Sequence, residues 1–167
     1  MKIDHQGNAD LRKLGELIKP IETAMLTTHV ASGPMVSRPV QTLKLDAGGE
    51  LIFFTSADSA KVAQLTEDHE VNLAYAQPSE GRYLSVRGRA RMDRDRETID
   101  EVWTPLQKVF FPAGKDDPQL MVLRIKVRDA VWWEADAGNW LERVIDLAQG
   151  FWSDEAEDLG TRERLQG

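Results

Sequence analysis

The stretch MVSRPVQTLKLDAGGELIFFTSADSAKVAQL, residues 35–65, predicts a strand, a tight turn, a second strand and the start of a helix. Met35 to Asp46 is rich in Val, Thr and Leu, which favours one extended strand. Ala47-Gly48-Gly49 supplies the positive-φ positions that a short hairpin connection needs. Glu50–Ser56 has an apolar centre and predicts the second strand. The rest of the chain is expected to be organised around this hairpin.

A helix is predicted to begin directly after the hairpin. Val62 and Leu65 start an apolar stripe at helical spacing, and Asp58 or Ser59 is a suitable N-cap. Lys61 falls in the first turn, where the positive end of the helix dipole disfavours a cation. An anion held there by backbone amides, hydroxyls and the ammonium removes that cost. The simpler alternative is a lysine whose ammonium points into solvent.

Two residues of the first strand favour the anion site. A hairpin can bring Arg38 toward the same end of the structure as Lys61. Pro39 cannot donate a hydrogen bond to a neighbouring strand, so this strand is expected at an edge or opening that a ligand can approach. One phosphate-sized anion near Lys61 is therefore a reasonable hypothesis.

The same residues resemble a known family. The segments SRPV, FFTS and SAKVAQL, in this order and spacing, resemble the flavin-binding core of the pyridoxamine 5'-phosphate oxidase-like split-barrel proteins. The resemblance continues through VNLAYAQP, YLSVRGRARM, EVWTPLQKVFFPAGKDDPQLMVLRI and AVWWEA, so that it covers Asp10 to Asp136. Within the family, the chain is most similar to the bacterial general stress protein 26 type.

Fold class follows from the residues and is refined by the resemblance. Short strands, few helices, hairpin turns and no βαβ alternation predict an α+β domain with a mainly antiparallel, barrel-like sheet. The resemblance implies a six-stranded split β-barrel of Greek-key type with flanking helices. It also implies a homodimer with two flavin sites at the subunit interface, occupied by FMN or, as the alternative, FAD.

The resemblance implies a role for each candidate site residue. Ser59 and Lys61 match positions that hold the flavin phosphate, and the strand of Arg38 runs beneath the isoalloxazine. Tyr83 and Ser85 match positions that reach across from the partner subunit. The complete set implied to bind the cofactor is Arg38, Pro39, Val40, Phe54, Thr55, Ser56, Ser59, Lys61, Tyr83, Ser85 and Trp133.

One region departs from the true oxidases of this family. Those enzymes grip pyridoxal phosphate with a basic, histidine-containing motif near the C-terminus, whereas this chain has DAGNWLERVIDL, with Arg143 as its one candidate. An FMN-binding general stress protein with oxidoreductase-like chemistry and an unidentified electron acceptor is therefore expected. A non-enzymatic flavin carrier or sensor is the alternative, and a pyridoxamine 5'-phosphate oxidase is the less favoured third. No catalytic residue is assigned.

Composition limits the remaining possibilities. The chain has 167 residues, a net charge of −7 at pH 7 and no cysteine. Its length predicts one domain over residues 1–150, followed by a mobile charged tail over 151–167. The acidic balance argues against a nucleic-acid partner, and no run approaches the roughly 18 apolar residues of a membrane helix. With no signal-peptide core at the start, a cytoplasmic location is expected.

Periodicity predicts the other elements. The long strand Tyr83–Asp93 alternates an apolar face with a face that carries three arginines. Trp132 and Trp133 are neighbours in a strand, so one is expected to face inward and the other to mark an interface or a ligand platform. The predicted helices are Asn8–Lys19, Asp95–Trp103 and Asn139–Leu147. The other predicted strands are Thr23–Val30, Val71–Gln77, Gln119–Val127 and Ala130–Glu134.

Three features suggest other chemistry, and each has a simpler explanation. The alternate arginines of Arg87–Arg91 are balanced by the acidic residues that follow them, which indicates a solvated or interface face rather than a nucleic-acid site. His29 has no second ligand at metal-binding spacing, and neither has any other histidine, so no metal site is expected. The adjacent carboxylates Asp116 and Asp117 rarely converge on one atom, so a solvated turn is the better interpretation.

Overall fold

A computed structural model describes residues 1–29, 33–134 and 161–166, the last range by its backbone alone. The described strands are β1 Lys2–Ile3, β2 Thr23–Thr28, β3 Val36–Gln41, β4 Lys44–Leu45, β5 Glu50–Ser56, β6 Glu70–Gln77, β7 Arg82–Asp93, β8 Leu120–Glu134 and β9 Thr161–Gln166. The α-helices in this part of the chain are α1 Ala9–Ile18, α2 Ala60–Glu67 and α3 Arg96–Val102. Short 3-10 helices cover Pro78–Glu80, Pro105–Val109 and Gly114–Asp116.

The sheet curls because two strands that are adjacent in the sequence, β3 and β4, lie near its opposite edges. Hydrogen bonds link the strands in the order β1-β4-β5-β8-β7-β6-β2-β3, and β9 lies beside β8. Strands β3 and β4 stand near opposite ends of this order, yet only Thr42 and Leu43 separate them along the chain. The predicted α+β split barrel is confirmed. The described strands number nine rather than six because the short β1 and β4 and the C-terminal β9 join the sheet.

The predicted single strand Met35–Asp46 is wrong in one respect, since it is divided into β3 and β4. The chain changes partner at the division, where the Thr42 N–H donates to the Glu22 carbonyl at 2.7 Å and the Leu43 N–H donates to the Ile52 carbonyl at 2.8 Å. The buried Thr42 hydroxyl is also 2.8 Å from the Tyr75 hydroxyl of β6. The hairpin turn and β5 follow the prediction, but of Ala47, Gly48 and Gly49 only Gly49 has a positive φ, at 78°.

The two strands predicted for Gln119–Val127 and Ala130–Glu134 form one strand, β8. Its pairing with β7 shifts by one residue, since Arg87 pairs with Asp129 and Gly88 pairs with Val127. Arg128 is thus the extra residue of a β-bulge, which bends a long strand without ending it.

The main core lies inside the curled sheet. Helix α1 covers one side with its buried apolar face, as predicted, and the side-chain oxygen of Asn8 caps it by accepting the Asp10 N–H at 2.7 Å. The predicted apolar face of β7 is buried as well. A second, smaller core packs α3 against the outer side of β5 and β8, through Ile52, Ile99, Phe111, Leu120 and Val122.

The C-terminal predictions have different outcomes. Trp132 is buried and Trp133 is half-buried, so the two neighbours occupy opposite faces as predicted. The backbone of Thr161–Gln166, predicted to belong to a mobile tail, pairs instead with β8 from Asp129 to Glu134. The predicted helix Asn139–Leu147 and Arg143 lie outside the described residues.

Candidate functional site

A cavity of about 500 Å³ opens beside the hairpin on which the sequence analysis was centred. Its walls come from β3 and the segment after it, from the end of β5, from the first turn of α2, and from the 3-10 helix Pro105–Val109 with the two residues that follow. These elements meet because the chain changes its pairing partner at Thr42 and Leu43, close to where β3 ends, and because α2 starts four residues after the end of β5.

Six of the eleven predicted site residues line this cavity. They come from β3, β5 and the first turn of α2, and they are Pro39, Val40, Phe54, Thr55, Ser56 and Lys61. Lys61 is the one charged residue among the described residues that line the cavity, and the rest of the lining is neutral and largely apolar.

Lys61 and Arg38 form a concentration of positive charge at this cavity. Burial, and secondarily the charge of Arg38, lowers the pKa of Lys61 from its ordinary value. Burial also lowers the pKa of Arg38. Neither cation has a carboxylate partner among the described residues. Two neighbouring, partly desolvated cations without a counter-ion raise the free energy of the folded state, and a bound anion would lower it.

The start of α2 adds backbone donors to this positive region. Ser59 is the N-cap by position, as predicted, but its side chain makes no capping hydrogen bond. Its hydroxyl lies 3.3 Å from the Thr55 hydroxyl instead. The other predicted cap, Asp58, accepts a short hydrogen bond from the Ser56 hydroxyl. The Val62 N–H of the first turn donates to the Ser59 carbonyl at 2.9 Å, so the N–H groups of Ala60 and Lys61 are the backbone donors that this end of α2 can supply to an anion.

Five predicted site residues do not line the cavity. Arg38 directly precedes the lining residue Pro39, and Ser59 contacts the lining residue Thr55, whereas Tyr83, Ser85 and Trp133 lie on other strands. Tyr83 pairs with Trp133 across β7 and β8, and Tyr83 is 43% exposed. The Ser85 hydroxyl accepts a hydrogen bond from the Asn72 amide at 2.7 Å. All three belong to β7 and β8 rather than to the elements around Lys61, so a single chain does not bring them into the cavity.

These residues nevertheless share a surface with the cavity wall. Cross-strand pairing forms a row from Pro39 in β3 to Met25 in β2, then to Ala74 in β6 and Ser85 in β7. Met25 is 43% exposed, like Tyr83. We call this surface, defined by Met25, Ala74, Tyr83 and Ser85, the β2–β6–β7 face.

Sequence reasoning missed two parts of the site. The first is the pair Thr28 and Gln64, which both bind the Arg38 guanidinium. The sequence contained one signal for Gln64: it follows Lys61 by three residues, so the two side chains are neighbours on one face of the helix. The second is the wall formed by Leu106, Gln107 and Phe110. Leu106 and Phe110 are 74% and 76% exposed, which is unusual for side chains of this size.

Two other kinds of site find no support in the described parts of the chain. No group of three or more His, Asp or Glu residues there is arranged to hold a metal ion. None of the described helices is long and apolar enough to span a membrane.

Comparison with known proteins gives this geometry a context. The family model described as "Pyridoxamine 5'-phosphate oxidase like" matches residues 9–158. General stress protein 26 of Bacillus subtilis is 30% identical over 78 residues, which are 45% of this chain and 55% of that protein. Protein bli-3 of Neurospora crassa is 28% identical over 137 residues, which are 76% of this chain and 65% of that protein. The chain therefore spans less than two thirds of the length of either relative.

Solved structures show the same fold. The general stress FMN/FAD binding protein of Xanthomonas citri is 28% identical, with a TM-score of 0.65 over 74% of this chain and 87% of that chain. A Clostridium acetobutylicum protein related to general stress protein 26 is 20% identical, with a TM-score of 0.65 over 74% of this chain and 87% of that chain. At this identity, the second similarity supports the fold alone.

Proposed function

Because the chain belongs to the pyridoxamine 5'-phosphate oxidase-like family, we propose that it is an FMN-binding general stress protein whose flavin occupies the cavity beside Lys61. The observation that carries this proposal is the pair of cations Arg38 and Lys61, which have no carboxylate partner among the described residues and stand beside an otherwise neutral cavity.

The charge of the site matches a phosphate monoester. Such a group carries about −1.5 to −2 charges near pH 7, and the two cations together carry +2. The phosphate would bind Lys61, Arg38, the Ser59 hydroxyl and the first amides of α2. FMN ends in such a group, whereas each phosphate of FAD is a diester. FMN is therefore the proposed cofactor, with FAD as the alternative that the name of the Xanthomonas relative suggests.

The apolar part of the cavity would hold the flavin ring. Val40 and Phe54 offer apolar contacts from the two strands, and Phe110 adds an exposed aromatic ring to the cavity lining. Backbone groups of Thr55 and Ser56, which line the cavity at the end of β5, would contact the ring edge. When bound, the flavin supplies one- and two-electron chemistry, and the protein fixes its position and excludes water.

We propose an oxidoreductase-like role with an unidentified electron acceptor, and a flavin carrier or sensor as the alternative. Lys61 is the one titratable side chain among the described residues that line the cavity, and the phosphate would occupy it. Proton transfer by the protein is therefore not part of this proposal. Turnover of flavin with a nicotinamide donor would favour the first role, and its absence would favour the second.

A pyridoxamine 5'-phosphate oxidase remains the least favoured function. Its substrate carries a phosphate of its own, which requires cations beyond those that hold the flavin phosphate. Among the described residues, the cavity offers no cation beside Lys61. A substrate that is not held in one orientation loses much of the rate that an enzyme can provide.

We further propose that the protein is a homodimer in which two subunits complete each site. The β2–β6–β7 face carries exposed Met25 and Tyr83 and continues into the cavity wall at Pro39. A second subunit docked on this face would bring its Tyr83, Ser85 and Trp133 toward the flavin of the first. This arrangement accounts for three predicted residues that do not line the cavity of a single chain.

The phosphate contact is tested by the variant Lys61→Ala. A hydrogen bond to a charged group contributes about 1.5–3 kcal/mol, so the dissociation constant for FMN should rise roughly ten- to a hundredfold. Quenching of FMN fluorescence by the purified protein measures this constant. Lys19→Ala, which removes an exposed lysine at the end of α1, is the matched control and should bind FMN like the wild type. Equal constants for Lys61→Ala and the wild type would contradict the proposed phosphate site.

A further inference from the structure

Three side chains form a closed hydrogen-bonded ring beside the positive region. The Arg38 guanidinium donates from Nη1 to Thr28 Oγ1 at 2.6 Å and from Nη2 to Gln64 Oε1 at 2.7 Å. The Thr28 hydroxyl in turn donates to Gln64 Oε1 at 2.6 Å. Thr28 is 1% exposed, so the ring is anchored to the buried end of β2. Strands β2 and β3 and helix α2 are joined through it.

The acceptors in this ring are neutral. Arginine in a partly buried position commonly pairs with a carboxylate, which satisfies its hydrogen bonds and cancels its charge. Here a hydroxyl and an amide oxygen fix the plane of the guanidinium and leave its charge intact. Lys61 lies one helical turn before Gln64, so the same helix supplies one cation and orients the other.

We infer that Gln64 sets the charge of the anion site. By holding Arg38 through a neutral oxygen, it leaves Arg38 and Lys61 facing the ligand with two uncompensated positive charges, which selects a phosphate monoester dianion over an uncharged ligand of the same shape. Gln64 is thus a positioning and specificity-determining residue. This inference rests on the proposed flavin binding and names the group that the site recognises.

The substitution Gln64→Glu tests the inference, because it keeps the side-chain length and an acceptor oxygen while adding a negative charge. The dissociation constants for FMN and for riboflavin, which lacks the phosphate, are measured by flavin fluorescence. A carboxylate beside Arg38 repels the phosphate, so FMN affinity should fall about tenfold or more. Riboflavin affinity should change by less than about twofold, because riboflavin has no phosphate to repel.

A matched control separates this local effect from a change in net charge. Asn8→Asp adds one negative charge on another element, at the N-cap of α1, where Asp and Asn cap helices about equally well. It should leave both flavin affinities unchanged. A purely structural role for Gln64 would instead reduce FMN and riboflavin affinity by the same factor.

A second variant keeps the test decisive if Gln64→Glu does not fold. Gln64→Met removes the acceptor without adding charge, so Arg38 keeps only the Thr28 contact of this ring. FMN affinity should fall by a smaller factor than in Gln64→Glu, again without a change for riboflavin. If both variants keep the wild-type ratio of FMN to riboflavin affinity, the inference is wrong and flavin binding stands. If the wild type does not bind FMN, the proposed function itself is wrong.

Discussion

Individual residues at the cavity show a conflict between folding and binding. Lys61 is half-buried in the first turn of α2, beside Arg38, and no carboxylate among the described residues balances either charge. Burial and Arg38 both disfavour its charged form. The residue therefore lowers the stability of the ligand-free protein, and the proposed bound phosphate would offset this effect.

This conflict predicts how stability depends on pH. Because the pKa of Lys61 is lowered in the folded protein, the unfolded chain holds more protons between that lowered pKa and the ordinary value of 10.5. The contribution of Lys61 to the free energy of unfolding is therefore unfavourable at neutral pH and is relieved as the pH rises through that window. Lys61→Met should stabilise the ligand-free protein at pH 7, and the gain should shrink toward pH 10.5.

Urea unfolding at several pH values checks this prediction. Met and Lys have similar helix propensities, so the substitution changes little besides the charge and the contacts of the ammonium. Lys19→Met, at an exposed position of α1, provides the comparison and should leave stability nearly unchanged. A Lys61→Met protein that is less stable than the wild type at pH 7 would show that the ammonium has a stabilising partner.

At the level of residues, the sequence predicted the charge of the site better than its geometry. Lys61 stood out because a cation in a first helical turn needs an explanation. The helical spacing of Gln64 from Lys61 was visible in the sequence, but its hydrogen bond to Thr28 was not predictable, because Thr28 is 36 residues away and meets Gln64 only in the folded barrel. Similarly, no local signal predicts that Phe110 and Phe54 line the same cavity.

At the level of elements, the fold depends on two places where a strand changes its pairing. On either side of Thr42 the chain pairs with different strands, since β3 pairs with β2 and β4 pairs with β5. At Arg128 a bulge bends β8. Strand propensity is local, so the sequence predicted extended chain on both sides of each place. The change of partner is a tertiary feature, which is why one predicted strand became two and two predicted strands became one.

Gly88 at the bulge provides a test at this level. A Cβ atom there would lie 2.5 Å from Ile125 Cγ2 and 2.7 Å from the Lys126 carbonyl oxygen, and the latter is backbone that cannot move aside cheaply. Gly88→Ala should therefore lower the free energy of unfolding by about 1–3 kcal/mol. Denaturant titration measures the change.

The control for this substitution is Gly7→Ala. A Cβ atom at Gly7 has nothing within 4 Å, so the variant should match the wild type within about 0.5 kcal/mol. Equal stability of the two variants would mean that the close approach of β7 and β8 at the bulge is not required for folding.

At the level of the whole molecule, the sequence predicted the fold class and most of the cavity. The hairpin and helix patterns indicated Lys61 and the strand of Pro39, the family resemblance implied Val40, Phe54, Thr55 and Ser56, and all six residues line one cavity. The assignment of Tyr83, Ser85 and Trp133 to the site followed only from the family resemblance, and a second subunit is proposed to bring them to the flavin. The β2–β6–β7 face, with Met25 at its centre, is the surface on which that subunit is proposed to dock.

The most direct test of the account is native mass spectrometry of the protein after incubation with FMN and removal of free flavin. The account predicts a complex of two 18.8 kDa chains with two FMN molecules. Met25→Glu, which places a carboxylate on the proposed interface, should give single chains that retain little FMN. A dimer with one FMN per chain in the wild type would support the shared flavin site. A flavin-free protein would contradict the proposed function, and a single chain carrying FMN would contradict the shared site.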